Sequence, residues 1–217
     1  RVKLNYFLIF VALLLISCVA YSQGSEKSRI LLDKVSKNLL NKENMNFDFV
    51  YKLDNSEEKI TQEIEGNAQI SGEKYKLNFM DIQQIYDGYK TYTIIPENEE
   101  INIETGDGNS DLMIKPTSLL TFYTRGYRYE WDIEQIVRGR RIQYIKLTPI
   151  DENTDVRYLL IGVDIKNLNL HKVIEIGKNG TNTTLKIKNH LYNFSLPDNH
   201  FKFNPELYKD YFINEDS

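Results

Sequence analysis

Hydrophobic and polar positions along this chain follow three successive patterns. The first is a continuous apolar run, Phe7-Leu8-Ile9-Phe10-Val11-Ala12-Leu13-Leu14-Leu15-Ile16, behind Arg1 and Lys3 and ahead of small residues. That is the order of a cleavable export signal, whereas a permanent membrane span would want about 20 apolar residues. Two processing sites compete: Ala20-Tyr21-Ser22 before Gln23, with small residues where a signal peptidase reads, and Leu15-Ile16-Ser17-Cys18, a lipobox that would place a lipid on Cys18. The first divides the chain into a signal peptide, residues 1–22, and a single domain, residues 23–217. The second pattern is helical. Ser25 is placed to cap a helix with Glu26 in its first turn, and Ile30, Leu31, Leu32, Val35, Leu39 and Leu40 recur as a wide apolar stripe until Asn41-Lys42-Glu43-Asn44 ends it.

From there to the C-terminus the period is two. Phe47, Phe49, Tyr51 and Leu53 mark one strand; Ile60, Ile64, Ala68 and Ile70 the next; Tyr75, Leu77 and Phe79 a third. Asp87-Gly88 predicts a turn between Ile82–Tyr86 and Tyr89–Ile95, and Pro96 closes that strand. Ile101 and Ile103 suggest another strand. Pro116 followed by Thr117-Ser118-Leu119-Leu120-Thr121-Phe122-Tyr123 reads as a small helix between strands. The alternation then resumes at Tyr127, Tyr129 and Trp131, at Ile142, Tyr144 and Ile145, from Val156 to Ile165, and at Val173, Ile174 and Ile176. Asn179-Gly180, ahead of Leu185 and Ile187, is the clearest hairpin signal in the chain. Phe201 and Phe203 make a last apolar contact before Pro205, with Glu206 to Ser217 as a polar tail dotted with aromatics.

About ten strands and two short helices are more sheet than a flat layer of this size can cover, so the sheet should curl into a barrel or half-barrel. A plain sandwich core satisfies the alternation equally well. The chain has 217 residues and 41% apolar content, enough for one sizeable core. Cys18, the only cysteine, lies in the leader, so the domain has no disulfide and no thiol chemistry. A formal charge of −4 gives no electrostatic reason to bind nucleic acid, and Arg138, Arg140 and Arg141 around Gly139 read as a solvated hairpin turn. Asp107, Asn109 and Asp111 alternate as in a calcium loop, but Leu112 and Ser118 stand where such a loop needs Gly and Glu.

No catalytic constellation emerges. His171, His190 and His200 lack metal-ligand spacing, and His171 reads as a solvent-side turn residue; there is no Gly-x-Ser-x-Gly turn and no Gly-rich phosphate loop. No metal or cofactor is expected, and a binding protein is expected rather than an enzyme.

Several stretches, in order, resemble the LolA family of periplasmic carriers of outer-membrane lipoproteins. Leu32-Asp33-Lys34-Val35-Ser36 is similar to its first helix; Asp87-Gly88, Tyr89-Lys90-Thr91-Tyr92 and Pro96 to its Asp-Gly, aromatic and Pro strand pair; Leu147-Thr148-Pro149 to its Leu-Thr-Pro element; Phe201-Lys202-Phe203-Asn204-Pro205 to its closing Phe-x-Phe-x-Pro. The resemblance implies a mainly β fold: an unclosed antiparallel half-barrel, with the N-terminal amphipathic helix and a short lid helix over an apolar cavity. It also implies a monomer in the periplasm that takes the acyl chains of lipoproteins from an inner-membrane transporter and passes them to the outer membrane. A sensor or glycolipid-binding module shares that architecture and remains the alternative.

By matching positions, the resemblance makes Leu32 and Val35 on the helix, Leu119 and Leu120 on the lid, and Phe49, Phe79 and Val173 on strands the candidate cavity wall. The same residue types also build an ordinary core. One departure stands out: the best-known branch of the family carries an Arg, in the turn after the second strand, that hydrogen-bonds to the lid, and this chain has Gly72 near that place.

Overall fold

The computed structural model describes residues 24–107 and 115–215. The leader, both processing sites and Cys18 lie outside them, as do Asn109, Asp111 and Leu112 of the calcium-like loop.

Helix α1 covers residues 24–40. Gly24 is already helical, so Ser25 lies inside the first turn and does not cap it from outside. The buried face is Ser28, Leu32, Val35, Ser36 and Leu39, spaced at four, three, one and three residues. Ser28 satisfies its hydroxyl on the Gly24 carbonyl at 2.8 Å. The apolar stripe is narrower than expected, because Ile30 and Leu40 face solvent at 43% and 56% exposure. Ile30 lies about 200° around the helix from Leu32, beyond the reach of one sheet face.

Among the described residues, twelve strands follow in a single sheet. β1 is Met45–Asn55, β2 Ile60–Ser71, β3 Lys74–Phe79, β4 Ile82–Tyr86, β5 Lys90–Ile95 and β6 Glu100–Thr105. Two 3-10 turns, Ser118–Leu120 and Phe122–Thr124, lead to β7 Tyr127–Val137, β8 Arg140–Pro149, β9 Val156–Asp164, β10 Asn169–Gly177, β11 Thr181–Tyr192 and β12 Phe212–Glu215. The order across the sheet is β12-β6-β5-β4-β3-β2-β1-β11-β10-β9-β8-β7. Neighbours are antiparallel except β12, which runs parallel to β6. β7 and β12 are the two edges and do not pair, so the sheet is an unclosed half-barrel. Long-range closure comes from β1, which pairs with β2 on one side and β11 on the other along its whole length.

One large cluster fills the hollow of the sheet. It joins α1 through Leu32, Val35 and Leu39 to strand residues such as Phe47, Phe49, Ile70, Tyr75, Ile145 and Ile161, and to Leu119, Leu120 and Tyr123 of the turn pair. The short helix expected at Pro116 is thus two 3-10 turns rather than a continuous helix.

Three local features go beyond the sequence reading or correct it. The C-terminal tail is ordered: Phe203 stacks on Tyr92 and Tyr208, with ring centroids at 4.7 and 5.6 Å, and together with Tyr211 covers a second cluster of Ile85, Ile94, Ile101 and Ile103. β12 then docks on β6, with the Phe212 amide donating to the Glu99 carbonyl at 2.8 Å. His171 is not a solvent-side turn residue. It sits in β10 at 3% exposure, in a bulge between Leu170 and Lys172 that breaks the alternation. The Asn179-Gly180 hairpin joins β10 and β11 as expected, but only Gly180 has a positive φ, 82°, and the last ladder pair is Ile176 with Asn182. Two-residue turns with both central φ positive are at Met80 (54°) and Asp81 (60°), between β3 and β4, and at Arg138 (50°) and Gly139 (75°), where Arg141 forks onto Glu134 with both bonds at 2.9 Å.

Candidate functional site

The ladder registers bring the inward side chains of five strands together. Tyr51 of β1 lies opposite Leu185 of β11, and Leu185 opposite Val173 of β10, making one apolar row. Ala68 of β2 lies opposite Leu77 of β3. Phe49 stands one inward step from Tyr51 along β1. Pro116 and Leu119 of the covering turns lie over these residues and enclose a cleft of about 220 Å³. Its wall is apolar apart from the tip of Tyr51 and two polar side chains, Glu175 and Thr183, which face each other across the β10–β11 ladder.

Of the seven residues proposed for the wall, Phe49, Leu119 and Val173 border this cleft. Phe79 stands behind them, its ring 5.8 Å from that of Phe49 and 5.5 Å from that of Tyr51. Leu32 and Val35 are fully buried in the same cluster beneath α1 and do not reach the cleft. Leu120 borders a separate, shallower hollow with Leu40, Tyr86 and the Gly72-Glu73 turn. All seven therefore share one core, and three are brought to its cavity. The signal for Leu185 and Ala68 was present in the alternation. Glu175 was hidden because Val173, Ile174 and Ile176 make that stretch of β10 apolar on both parities.

The covering turns are held mainly by packing. Their backbone hydrogen bonds close on themselves: Ser118 to Lys115, Leu120 to Thr117, Thr121 to Ser118 and Thr124 to Thr121. Gly72, with φ +58°, turns β2 into β3 opposite Thr117, Ser118 and Thr121 but has no side chain to offer them. Nearby, the Lys115 ammonium meets the Asp107 carboxylate at 2.7 Å. Tyr123 is completely buried, yet its hydroxyl has no partner among the described residues, and burial pushes its pKa up.

Elsewhere the ionisable groups serve structure. Asp48 accepts from Asn67 at 2.7 Å and Asn189 at 2.9 Å, and these bonds hold its carboxyl below the usual range. His190 bonds the Leu170 carbonyl at 2.8 Å. Among the described residues no group of three or more His, Cys, Asp or Glu side chains converges as a metal site would need. No described helix is long and apolar enough to cross a membrane.

No family model and no curated protein matches the sequence. Solved structures do match. An uncharacterized conserved protein from Thermus thermophilus superposes with a TM-score of 0.56 at 10% identity, over 88% of this chain and 99% of that one. LprF from Mycobacterium bovis gives 0.50 at 11% identity, over 80% and 96%. The LolA superfamily protein NE2245 from Nitrosomonas europaea gives 0.43 at 11%, over 81% and 97%. At such identities the likeness is one of fold: the chain is a mainly β, open half-barrel, as the Thermus thermophilus and LprF superpositions indicate.

Proposed function

We propose that this protein binds acyl chains in the cleft between its sheet and the Pro116–Thr124 cover, and that in the cell it carries lipoproteins by their lipid from the inner to the outer membrane. The observation that supports this most is an apolar cleft roofed by a segment whose backbone hydrogen bonds, among the described residues, are local, so that the roof can move without breaking the sheet. At about 0.8 kcal/mol per buried CH₂, a chain of about 14 carbons left in water costs on the order of 11 kcal/mol, so a carrier must enclose it. The cleft of about 220 Å³ is smaller than the ~300–1,000 Å³ usual for ligand sites. It therefore represents a closed form, which admits a full chain when Leu119 and Pro116 give up contacts with Phe49 and Val173 and the ligand supplies their replacement.

The ordered motifs that resemble LolA carriers support the transport role, the periplasmic location and an inner-membrane transporter as donor. The test has two stages. Thermal melting of the purified exported protein with acylated ligands should raise the midpoint, because a ligand that binds only the folded state stabilises it by about 2.7 kcal/mol at a hundred times its Kd. No rise with any acyl ligand rejects the proposal. A photocrosslinker at Leu119 in cells should then capture many different acylated lipoproteins. Capture of one unvarying protein would replace carriage by sensing.

A further inference from the structure

The described lining of the cleft contains one carboxylate, Glu175. Its place is set by the ladder: it is opposite Thr183 on one side and Leu159 on the other, two residues beyond Val173 and on the same inward face. The side chain is half-buried, and among the described residues it accepts no hydrogen bond and joins no ion pair. The nearest lysines along the chain are committed elsewhere: Lys178 donates to the Glu152 carbonyl at 2.7 Å, and Lys172 has the opposite parity on β10. The Tyr127 phenol is close enough to feel its charge: burial, and then that charge, raise the phenol's pKa, and it is not a cation at any pH. Burial raises the Glu175 carboxyl pKa. An unpaired carboxylate in an apolar wall is unfavourable unless something arrives to meet it.

The cleft is thus amphipathic along its length. Phe49, Ala68 and Leu119 form a greasy floor and roof, and Glu175 with Thr183 forms a polar end toward the β10–β11 hairpin. We infer that the ligand of this cleft is an acyl chain with a cationic ammonium head, received by the Glu175 carboxylate and the Thr183 hydroxyl while the chain lies against Phe49 and Leu119. This rests on the acyl-binding reading and adds to it a head-group class. A fatty acid, whose carboxylate would be set against Glu175, is disfavoured.

The test uses three probes of equal chain length on the purified protein at neutral pH, each below its aggregation concentration: decylammonium, decanol and decanoate, titrated by calorimetry. Decylammonium should bind about tenfold or more tightly than decanoate, the scale of a charge-assisted pair gained against a like-charge contact. In Glu175→Gln that ratio should fall to about twofold. Decanoate binding as well as decylammonium overturns the head-group assignment while leaving the acyl reading intact; so does an unchanged ratio in the variant. If none of the three binds the wild type, both readings fail. The wild-type order is itself decisive should the variant not fold. Ammonium heads occur on amino-headed lipids and at the free N-terminus of acylated polypeptides. Displacement of decylammonium by lysophosphatidylethanolamine identifies the first and displacement by an acylated peptide with a free amine the second; displacement by neither overturns the assignment.

Discussion

The tip of the Phe49 ring lies against the bare backbone of Gly66, its partner across the β1–β2 ladder: a Cβ on Gly66 would come within 2.3 Å of it. Glycine in the middle of a long strand weakens the ladder, and here the close approach of an aromatic ring accounts for it. Gly66→Val should therefore push Phe49 into the cleft. Overpacking of this kind costs about 1–3 kcal/mol, so denaturant unfolding should show a lower midpoint and acyl binding should weaken in parallel. Unchanged binding with unchanged stability would mean that the ring has another place to go.

Tyr123 anchors the cover with a fully buried ring and a hydroxyl that has no partner among the described residues. Leaving such a group unsatisfied costs about 1–3 kcal/mol, so Tyr123→Phe should stabilise the closed form. Stability should rise by about 1 kcal/mol in chemical denaturation, and acyl uptake in stopped-flow mixing should slow because the roof is harder to lift. A loss of stability would reveal a bond from that hydroxyl.

His171 should make the fold sensitive to acid. Burial first, then the positive charges of Arg140, Lys172 and Lys186, lower its pKa from 6.5 to about 4. Its neutral form is the one the fold tolerates. The stabilisation is complete above about pH 6.5 and is lost as the pH falls toward 4, by an amount on the order of 1–3 kcal/mol. His190 and His200 shift in the same direction, also mainly through burial, and add to the slope. Unfolding free energy measured from pH 7 to pH 4 should fall less steeply in His171→Leu than in the wild type; parallel curves would assign the acid sensitivity to the other two.

The C-terminal stack of Tyr92, Phe203 and Tyr208 should behave as a separate clamp. Aromatic pairs contribute about 0.5–1.5 kcal/mol each beyond their buried area, so Phe203→Ala should lose at least two such contributions. The variant should release β12, expose the β6 edge and become prone to association, which light scattering would register. Acyl binding should persist, because none of these rings borders the cleft.

Much of this fold was legible from local patterns. The helix, the strands from Phe47 to Ile187, the Asp87-Gly88 turn and the Arg138-Gly139 hairpin each depend on residues close in sequence. Asp87 shows why: its carboxylate accepts from the amides of Tyr89 and Lys90, both at 2.8 Å, a turn complete within four residues. The order of the tail was not legible because it comes from Tyr92, more than a hundred positions earlier than Phe203. His171 was misread because a bulge adds one residue and reverses the inside-outside alternation.

What the sequence determined by itself is the succession of elements and, where apolar residues occupy one parity only, the side of each strand that is buried. Two-residue periodicity carries that information because side chains alternate across a strand. What only the tertiary structure decided is which strands meet: β1 beside β11, which sets Phe49 across from Ile187, and β12 beside β6. The cleft follows from that choice. Leu119, Val173 and Phe49 are brought together by ladder registers spanning most of the chain, and alternation says nothing about partners. It is equally silent on Glu175, since Val173 on one parity and Ile174 and Ile176 on the other make both faces of β10 apolar, and only the pairing with Thr183 and Leu159 settles which way the carboxylate points.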